Sequence, residues 1–218
     1  MPNTLPRIVV LISGGGTNLQ ALIDAEAAGS LEGTIAGVIS NRAGVKGLER
    51  AETAGIPTRV IPHREHSSRE SFDGALMATI DGFSPDLVVL AGFMRILTDA
   101  FVQHYQGRLL NIHPSLLPAW PGLHTHRKVL EAGEAEHGAT VHFVTEELDG
   151  GPRIIRGRVP VHTDDDEETL AGRVGAQERR IYLEAVRWFC QGRLRLANGE
   201  TELDGTRLNE PVDRDKNP

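Results

Sequence analysis

Arg7-Ile8-Val9-Val10-Leu11-Ile12-Ser13-Gly14-Gly15-Gly16-Thr17-Asn18 is an apolar run that stops at three consecutive glycines. A strand with one wet face alternates apolar and polar residues, so a stretch with no polar side chain from Ile8 to Ile12 reads as a strand buried on both faces. Helix follows at once. Thr17 and Gln20 have the spacing of a capping box, and Leu19, Leu22, Ile23 and Ala27 recur along one side. A doubly buried strand that turns into a helix through glycines is the opening unit of a parallel sheet covered by helices.

Outward from this unit the beat repeats. A strand is expected at residues 34–40, a helix at 45–54 and a strand at 58–61. Ser67 and Glu70 form a second capping-box pattern, opening a helix through Phe72, Ala75, Leu76 and Ile80. A buried strand at 86–91, a short helix at 98–105 and a strand at 108–113 come next. Residues 116–125 are rich in Pro and Gly and read as an irregular, exposed loop. Beyond them the pattern changes: runs at 139–145 and 153–161 flank Leu148-Asp149-Gly150-Gly151-Pro152, which looks like an antiparallel pair joined by a glycine turn. A long helix at 167–189 carries Leu170, Val174, Ile181 and Val186, and Asn198-Gly199 marks a small terminal hairpin. The expected fold is α/β, a doubly wound, mostly parallel twisted sheet with helices on both faces and an antiparallel strand pair in the C-terminal half. Residues 1–208 are expected to form one domain, and the polar, aperiodic residues 209–218 a disordered tail.

Composition narrows the function. With Lys+Arg 23 against Asp+Glu 30, the net charge of −7 disfavours nucleic acid and anionic membrane as partners. The few aromatic residues are scattered and offer no stacking platform for single-stranded nucleic acid. The apolar run at 8–12 is too short for a signal segment or a membrane span. A single cysteine, Cys190, excludes an intrachain disulfide and a cysteine-built zinc site, which suits a reducing, cytoplasmic setting. Beside Trp188 and Phe189 it reads as a packed thiol. His124, His126, His137 and His142 include no second anchored pair at familiar ligand spacing, so no metal is expected.

Two places can carry chemistry. The turn from Ser13 to Asn18 can bring bare backbone N–H groups to an anion at a helix N-terminus, phosphate being the natural ligand; a glycine turn needed only for tight packing is the alternative. It is not a dinucleotide fingerprint, because Leu19 stands where the third small residue belongs and Ser40-Asn41-Arg42 offers no acid for a ribose. No Gly-Lys-Ser/Thr follows, so it is not a nucleotide-hydrolysing P-loop either. The second place is Asn111-Ile112-His113-Pro114-Ser115, ending a strand. Alternation turns Asn111 and His113 to the same side, at the carboxyl end of the sheet where ligands gather in open α/β folds. A lone strand-end histidine is more often a structural hydrogen-bonder, and Asp149 can be an ordinary turn residue. The sharper reading puts the Asp149 carboxylate beside His113, where it favours the imidazolium.

With these residues in view, the chain resembles the folate-dependent phosphoribosylglycinamide formyltransferase family. The resemblance runs from about Arg7 to Leu208. It rests on Val10-Leu11-Ile12-Ser13-Gly14, Leu90-Ala91-Gly92-Phe93-Met94-Arg95-Ile96-Leu97, Leu110-Asn111-Ile112-His113-Pro114-Ser115-Leu116-Leu117-Pro118 and Glu147-Leu148-Asp149-Gly150-Gly151-Pro152. It implies that 10-formyltetrahydrofolate, as co-substrate and without a metal, gives its formyl group to the glycinamide amine of a phosphoribosyl substrate. Carried over by position, Gly16, Thr17 and Asn18 would hold the phosphate and Glu178 would contact the glycinamide end. Arg69, Met94, Arg95, Ile96, Leu97 and Asn111 would line the folate site, with Glu146, Glu147, Leu148 and Asp149 closing over the pterin. Asn111, His113 and Asp149 would be catalytic. The half up to about residue 105 would then bind phosphate, and residues 106–208 folate.

Small-molecule substrates are the implied partners, with no nucleic acid or membrane, and the chain is expected as a monomer or weak homodimer. The pattern departs from relatives at Gly175 and Ala176, where a larger polar side chain is usual, and at Ala119-Trp120, where a lysine and a smaller aromatic are usual. Formyltetrahydrofolate hydrolase and methionyl-tRNA formyltransferase resemble the same Asn, His and Asp arrangement. They rank behind, because the first usually carries an extra N-terminal regulatory domain and the second a C-terminal barrel. A non-catalytic folate or phosphosugar binding module and a metal-dependent hydrolase are the readings from other classes.

Overall fold

In the computed structural model, which describes residues 4–215, Ile8, Val10 and Ile12 pack into one apolar cluster while Val9 and Leu11 pack into another. The first strand is therefore dry on both faces, and the whole sheet is built around it. The elements run β1 (Arg7–Ile12), α1 (Thr17–Ala27), β2 (Thr34–Ser40), α2 (Lys46–Thr53), β3 (Thr58–Val60), α3 (Arg69–Asp81), β4 (Leu87–Leu90), α4 (Asp99–His104), β5 (Leu109–His113), α5 (Thr125–Ala132), β6 (Glu136–Phe143), β7 (Arg153–Pro160), α6 (Glu167–Cys190), β8 (Leu194–Ala197), β9 (Glu200–Leu203), β10 (Thr206–Arg207) and β11 (Val212–Asp213).

Eight strands form one sheet in the order β11-β7-β6-β5-β4-β1-β2-β3, and β8 to β10 form a small antiparallel sheet. From β3 to β5 all neighbours are parallel; β6 then runs antiparallel to both β5 and β7. Leu19, Leu48, Val129, Val174 and Ile181 place α1, α2, α5 and α6 against one face, and Phe72, Leu76 and Phe101 place α3 and α4 against the other. The chain winds from β1 outward to β3, then restarts on the opposite side of β1 with β4. Such a reversal leaves a crevice at the carboxyl ends of the two central strands. Among the described residues no helix is long and apolar enough to cross a membrane.

The structure departs from the sequence reading at several ends. Thr17 and Gln20 make no capping box: Gly16, in the left-handed conformation, is the N-cap and no side chain caps α1. Gln20 instead accepts a hydrogen bond from Arg50 at 2.8 Å and donates to Asp24. On α3 the cap is Ser68, one residue later than expected, accepting from the Ser71 N–H. The helix α5 was not anticipated after the Pro- and Gly-rich segment; its N-cap, His124, has no side-chain cap bond.

The tail also differs. Residues 209–215, expected to be disordered, are ordered, and β11 pairs in parallel with β7. The Asp213 carboxylate accepts from Arg156 at 3.0 Å and Arg158 at 2.8 Å, and the Arg158 N–H donates to Asp215 at 2.7 Å. A polar tail without periodicity finds its partners on a distant strand edge, which no local pattern reveals. Residues 216–218 lie outside the described residues.

Candidate active site

At the carboxyl end of β1 the glycine turn has its carbonyls tied back. The Gly14 carbonyl accepts from Gly47 N–H at 3.0 Å, Gly15 from the Arg50 Nε–H at 2.9 Å, and Gly16 from Gln20 N–H at 2.9 Å. With the oxygens held by α2 and by the first turn of α1, the turn presents N–H groups to whatever approaches. Glycine is obligatory at position 16: φ is +70°, and a Cβ there would sit 2.7 Å from Gly47 Cα. Thr17 is exposed at the start of α1, and Asn18 beside it is buried.

The Asn18 amide donates to the Glu178 carboxylate at 3.2 Å, joining α1 to α6 at the mouth of the turn. Its Oδ1 is buried without a partner. Burial pushes the Glu178 carboxyl above the usual carboxylate range, a rise that the Asn18 hydrogen bond opposes. Asn18 Oδ1 and the Glu178 carboxylate are both acceptors, the kind of group that pairs with an amine, amide or hydroxyl donor.

Some way along the same sheet edge, β5 delivers Asn111 and His113. The antiparallel register sets Asn111 directly opposite His142 of β6. His142 Nδ1–H donates to the Phe143 carbonyl at 2.8 Å, and burial pushes the ring below the usual histidine value, against the pull of that carbonyl and of Asp149. A neutral ring with its proton on Nδ1 offers only an acceptor at Nε2, so the Asn111 Nδ2 lying 3.2 Å away must donate to it. This fixes which way the Asn111 amide points and leaves its second N–H for a ligand.

His113 is buried, with Nε2–H donating to the Trp120 carbonyl at 3.0 Å and Nδ1 facing the Asp149 carboxylate at 3.4 Å. The Trp120 carbonyl can only accept, which places a ring proton on Nε2 and leaves Nδ1 turned toward the carboxylate. The Asp149 carboxylate also accepts from Gly122 N–H at 2.9 Å and lies 3.8 Å from His142 Nε2. Asp149 and Trp120 both have positive φ, +54° and +58°, a conformation aspartate tolerates and tryptophan adopts at a cost. Gly151 cannot carry a side chain, since a Cβ would run into the Phe143 carbonyl. The Thr140 hydroxyl steadies the loop after β5, accepting from Leu117 N–H at 3.1 Å and donating to the Ser115 carbonyl at 2.7 Å.

Asn111, His113 and Asp149 are thus brought together, as are Asn18 and Glu178 beside the glycine turn. Met94, Arg95, Ile96 and Leu97 form the loop after β4, and Met94 is held by its N–H to the Ser13 hydroxyl at 2.8 Å. Met94, Ile96 and Leu148 expose large apolar side chains at 60%, 61% and 57%, as does Leu123 at 68%. Arg69 opens α3, exposed, and Glu146 and Glu147 lie in the exposed loop before Asp149, Glu146 accepting from Gln103 at 2.9 Å. Sequence reading missed the bond from Met94 to Ser13, the Trp120 carbonyl, the Gly122 N–H and the place of His142 beside Asn111. Only His142 carried a signal, its place opposite Asn111 once β5 and β6 are paired. His126 of α5 and His137 of β6 face each other at 3.0 Å, and burial with the neighbouring rings pushes His137 down to about 4.

An amide donor, an imidazole and a carboxylate gathered at the end of a strand, with a glycine turn at the same end of the sheet, are the groups that an acyl-transfer enzyme of the α/β class employs. Residues 6–186 match the family model described as formyl transferase. The chain is 56% identical over 202 residues to the phosphoribosylglycinamide formyltransferase of Escherichia coli (strain K12), covering 93% of this chain and 95% of that one. Its structure superposes with TM-score 0.92 and 52% identity on the phosphoribosylglycinamide formyltransferase of Coxiella burnetii, covering 96% and 99% of the two chains. A formyltetrahydrofolate deformylase from Pseudomonas syringae aligns at TM-score 0.86 with 27% identity, over 92% of this chain and 66% of that one. The chain belongs to the phosphoribosylglycinamide formyltransferase family and is an enzyme.

Proposed function

We propose that the protein transfers the formyl group of 10-formyltetrahydrofolate to the glycinamide amine of 5-phosphoribosylglycinamide, a step of purine biosynthesis carried out in the cytoplasm. The observation that carries this reading is the convergence of Asn111, His113 and Asp149 around one point at the sheet edge where the glycine turn also lies. The phosphate docks on the N–H groups of Gly16, Thr17 and Asn18, and Glu178 with Asn18 Oδ1 receives donors from the rest of that substrate. Arg69, Arg95 and the apolar side chains of Met94, Ile96, Leu97 and Leu148 hold the folate, with the backbone of residues 146–149 over the pterin.

Attack of the amine on the formyl carbon forms a C–N bond and makes a tetrahedral species whose oxygen gains charge. The free Asn111 N–H and the His113 Nε2–H stabilise that oxygen, which takes the place of the Trp120 carbonyl as ligand of the imidazole. Collapse breaks the bond to the folate nitrogen. The amine gives up one proton and the folate nitrogen takes one, and Asp149, directly or through water, relays it. No step needs a metal.

Incubating the protein with 10-formyltetrahydrofolate and 5-phosphoribosylglycinamide, and following the acceptor by mass, should give the formylated product. Deformylated folate appearing at the same rate without acceptor would instead make water the nucleophile and the hydrolase reading the correct one.

A further inference from the structure

One buried hydroxyl ties the two binding regions together. Ser13 stands between β1 and the glycine turn and is 4% exposed. Its Oγ–H donates to Asn41 Oδ1 at 2.6 Å, and its oxygen accepts from Met94 N–H at 2.8 Å. A hydroxyl has one proton to give, so both directions are fixed once Met94 supplies the backbone donor. Asn41 follows β2, and its carbonyl and amide both meet His63 Nδ1, at 3.0 and 3.3 Å. Strands β2, β1 and β4 are adjacent and parallel, so this chain of bonds runs across their carboxyl ends, at the point where the winding reverses.

We propose that Ser13 is a positioning residue that couples the two substrate regions: the phosphate turn and the loop at residues 94–97 adjust together through its hydroxyl. The inference rests on the reading of the site given above. The next three residues, Gly14 to Gly16, are the anion turn, and Met94 is the first residue of the folate-side loop. A ligand that draws the turn's N–H groups toward itself moves the residue from which Met94 hangs. The first ligand to bind therefore sets the loop for the second, and the effect is the same in either order.

The test is a pair of titrations on the full chain. Tetrahydrofolate binding is measured by quenching of tryptophan emission, with and without saturating 5-phosphoribosylglycinamide, in wild type and in Ser13→Ala. In the wild type the second ligand should tighten the first by about fivefold, the low end of usual coupling between sites. In Ser13→Ala that factor should fall to near one, while each ligand alone still binds; a merely structural role would weaken binding without removing the dependence of one ligand on the other.

Should Ser13→Ala not fold, Ser13→Cys serves as the second variant, since the thiol keeps the shape of the side chain but is a much weaker acceptor for the Met94 N–H, and it should lower the factor in the same sense. Independent binding in the wild type, or full coupling in the folded variant, overturns the proposal. A wild type that makes no formylated product sinks the reading of the site itself. An active wild type whose ligands ignore each other sinks only the coupling.

Discussion

At the glycine turn the groups that would meet a ligand are backbone N–H, held by carbonyls tied to α2 and α1, whereas at the end of β5 they are side chains braced by two loops. The first arrangement depends on what is missing, a Cβ at Gly16 that would collide with Gly47. The second depends on what is added: a histidine on β6 that orients Asn111, and two left-handed residues that aim a carboxylate and a carbonyl at His113. Backbone recognition suits an anion such as phosphate, whose several oxygens can each accept an N–H. Proton movement and a developing oxyanion call for titratable or directional side chains.

This contrast can be broken most sharply at β5. Replacing His113 by Ala should lower kcat by roughly two to four decades, the usual scale for lost acid-base help. Near-normal turnover would remove the imidazole from the mechanism. Asp149→Asn should cost about two decades by the same yardstick; asparagine keeps the shape and accepts the left-handed backbone, so steady-state rates would report the charge and not the turn. Turnover above a tenth of wild type would reduce Asp149 to a turn residue.

At the other end, Gly16→Ala should act on binding. A left-handed alanine costs about 1–2 kcal/mol, and the turn must also move away from Gly47, so KM for the phosphorylated substrate should rise about tenfold or more while kcat at saturation holds. A fall in kcat with unchanged KM would mean that the turn belongs to the chemistry.

The smallest effect expected concerns pH. His137 is pushed down to about 4 from the usual 6.5, so the folded state binds fewer protons than the unfolded one between those values. Its contribution is complete above pH 6.5 and is lost as pH falls through 4. Between pH 7 and 5.5 the wild type should lose about 2–4 °C in Tm that His137→Asn does not, corresponding to roughly 1 kcal/mol. Parallel melting curves for the two proteins would show that this histidine does not make the fold acid-sensitive.

The strands and long helices were legible because burial on both faces or on one face imposes a period on the residues themselves. β2 was read without error at residues 34–40, and α6 to within a residue. Helix starts were less so. The Thr17 and Gln20 spacing fits a capping box, yet α2 packs against the turn and Arg50 takes the Gln20 side chain, so the glycine does the capping. α5 escaped notice because its amphipathic stretch is short and sits directly behind the Pro- and Gly-rich loop. β11 escaped because its partners, Arg156 and Arg158, are more than fifty residues away.

The sequence by itself determined the layered α/β fold, the place of the glycine turn between the first strand and helix and, through strand alternation, the placing of Asn111 with His113 on one side. Only the tertiary structure decided how these act together. The Asn111 amide takes its direction from a ring on another strand, His113 is clamped by groups from two loops, and Ser13 spans two strands to reach Met94. Hydrogen bonds between distant residues depend on register and loop path, and the free energies that set those are summed over the whole core and written in no short stretch of chain.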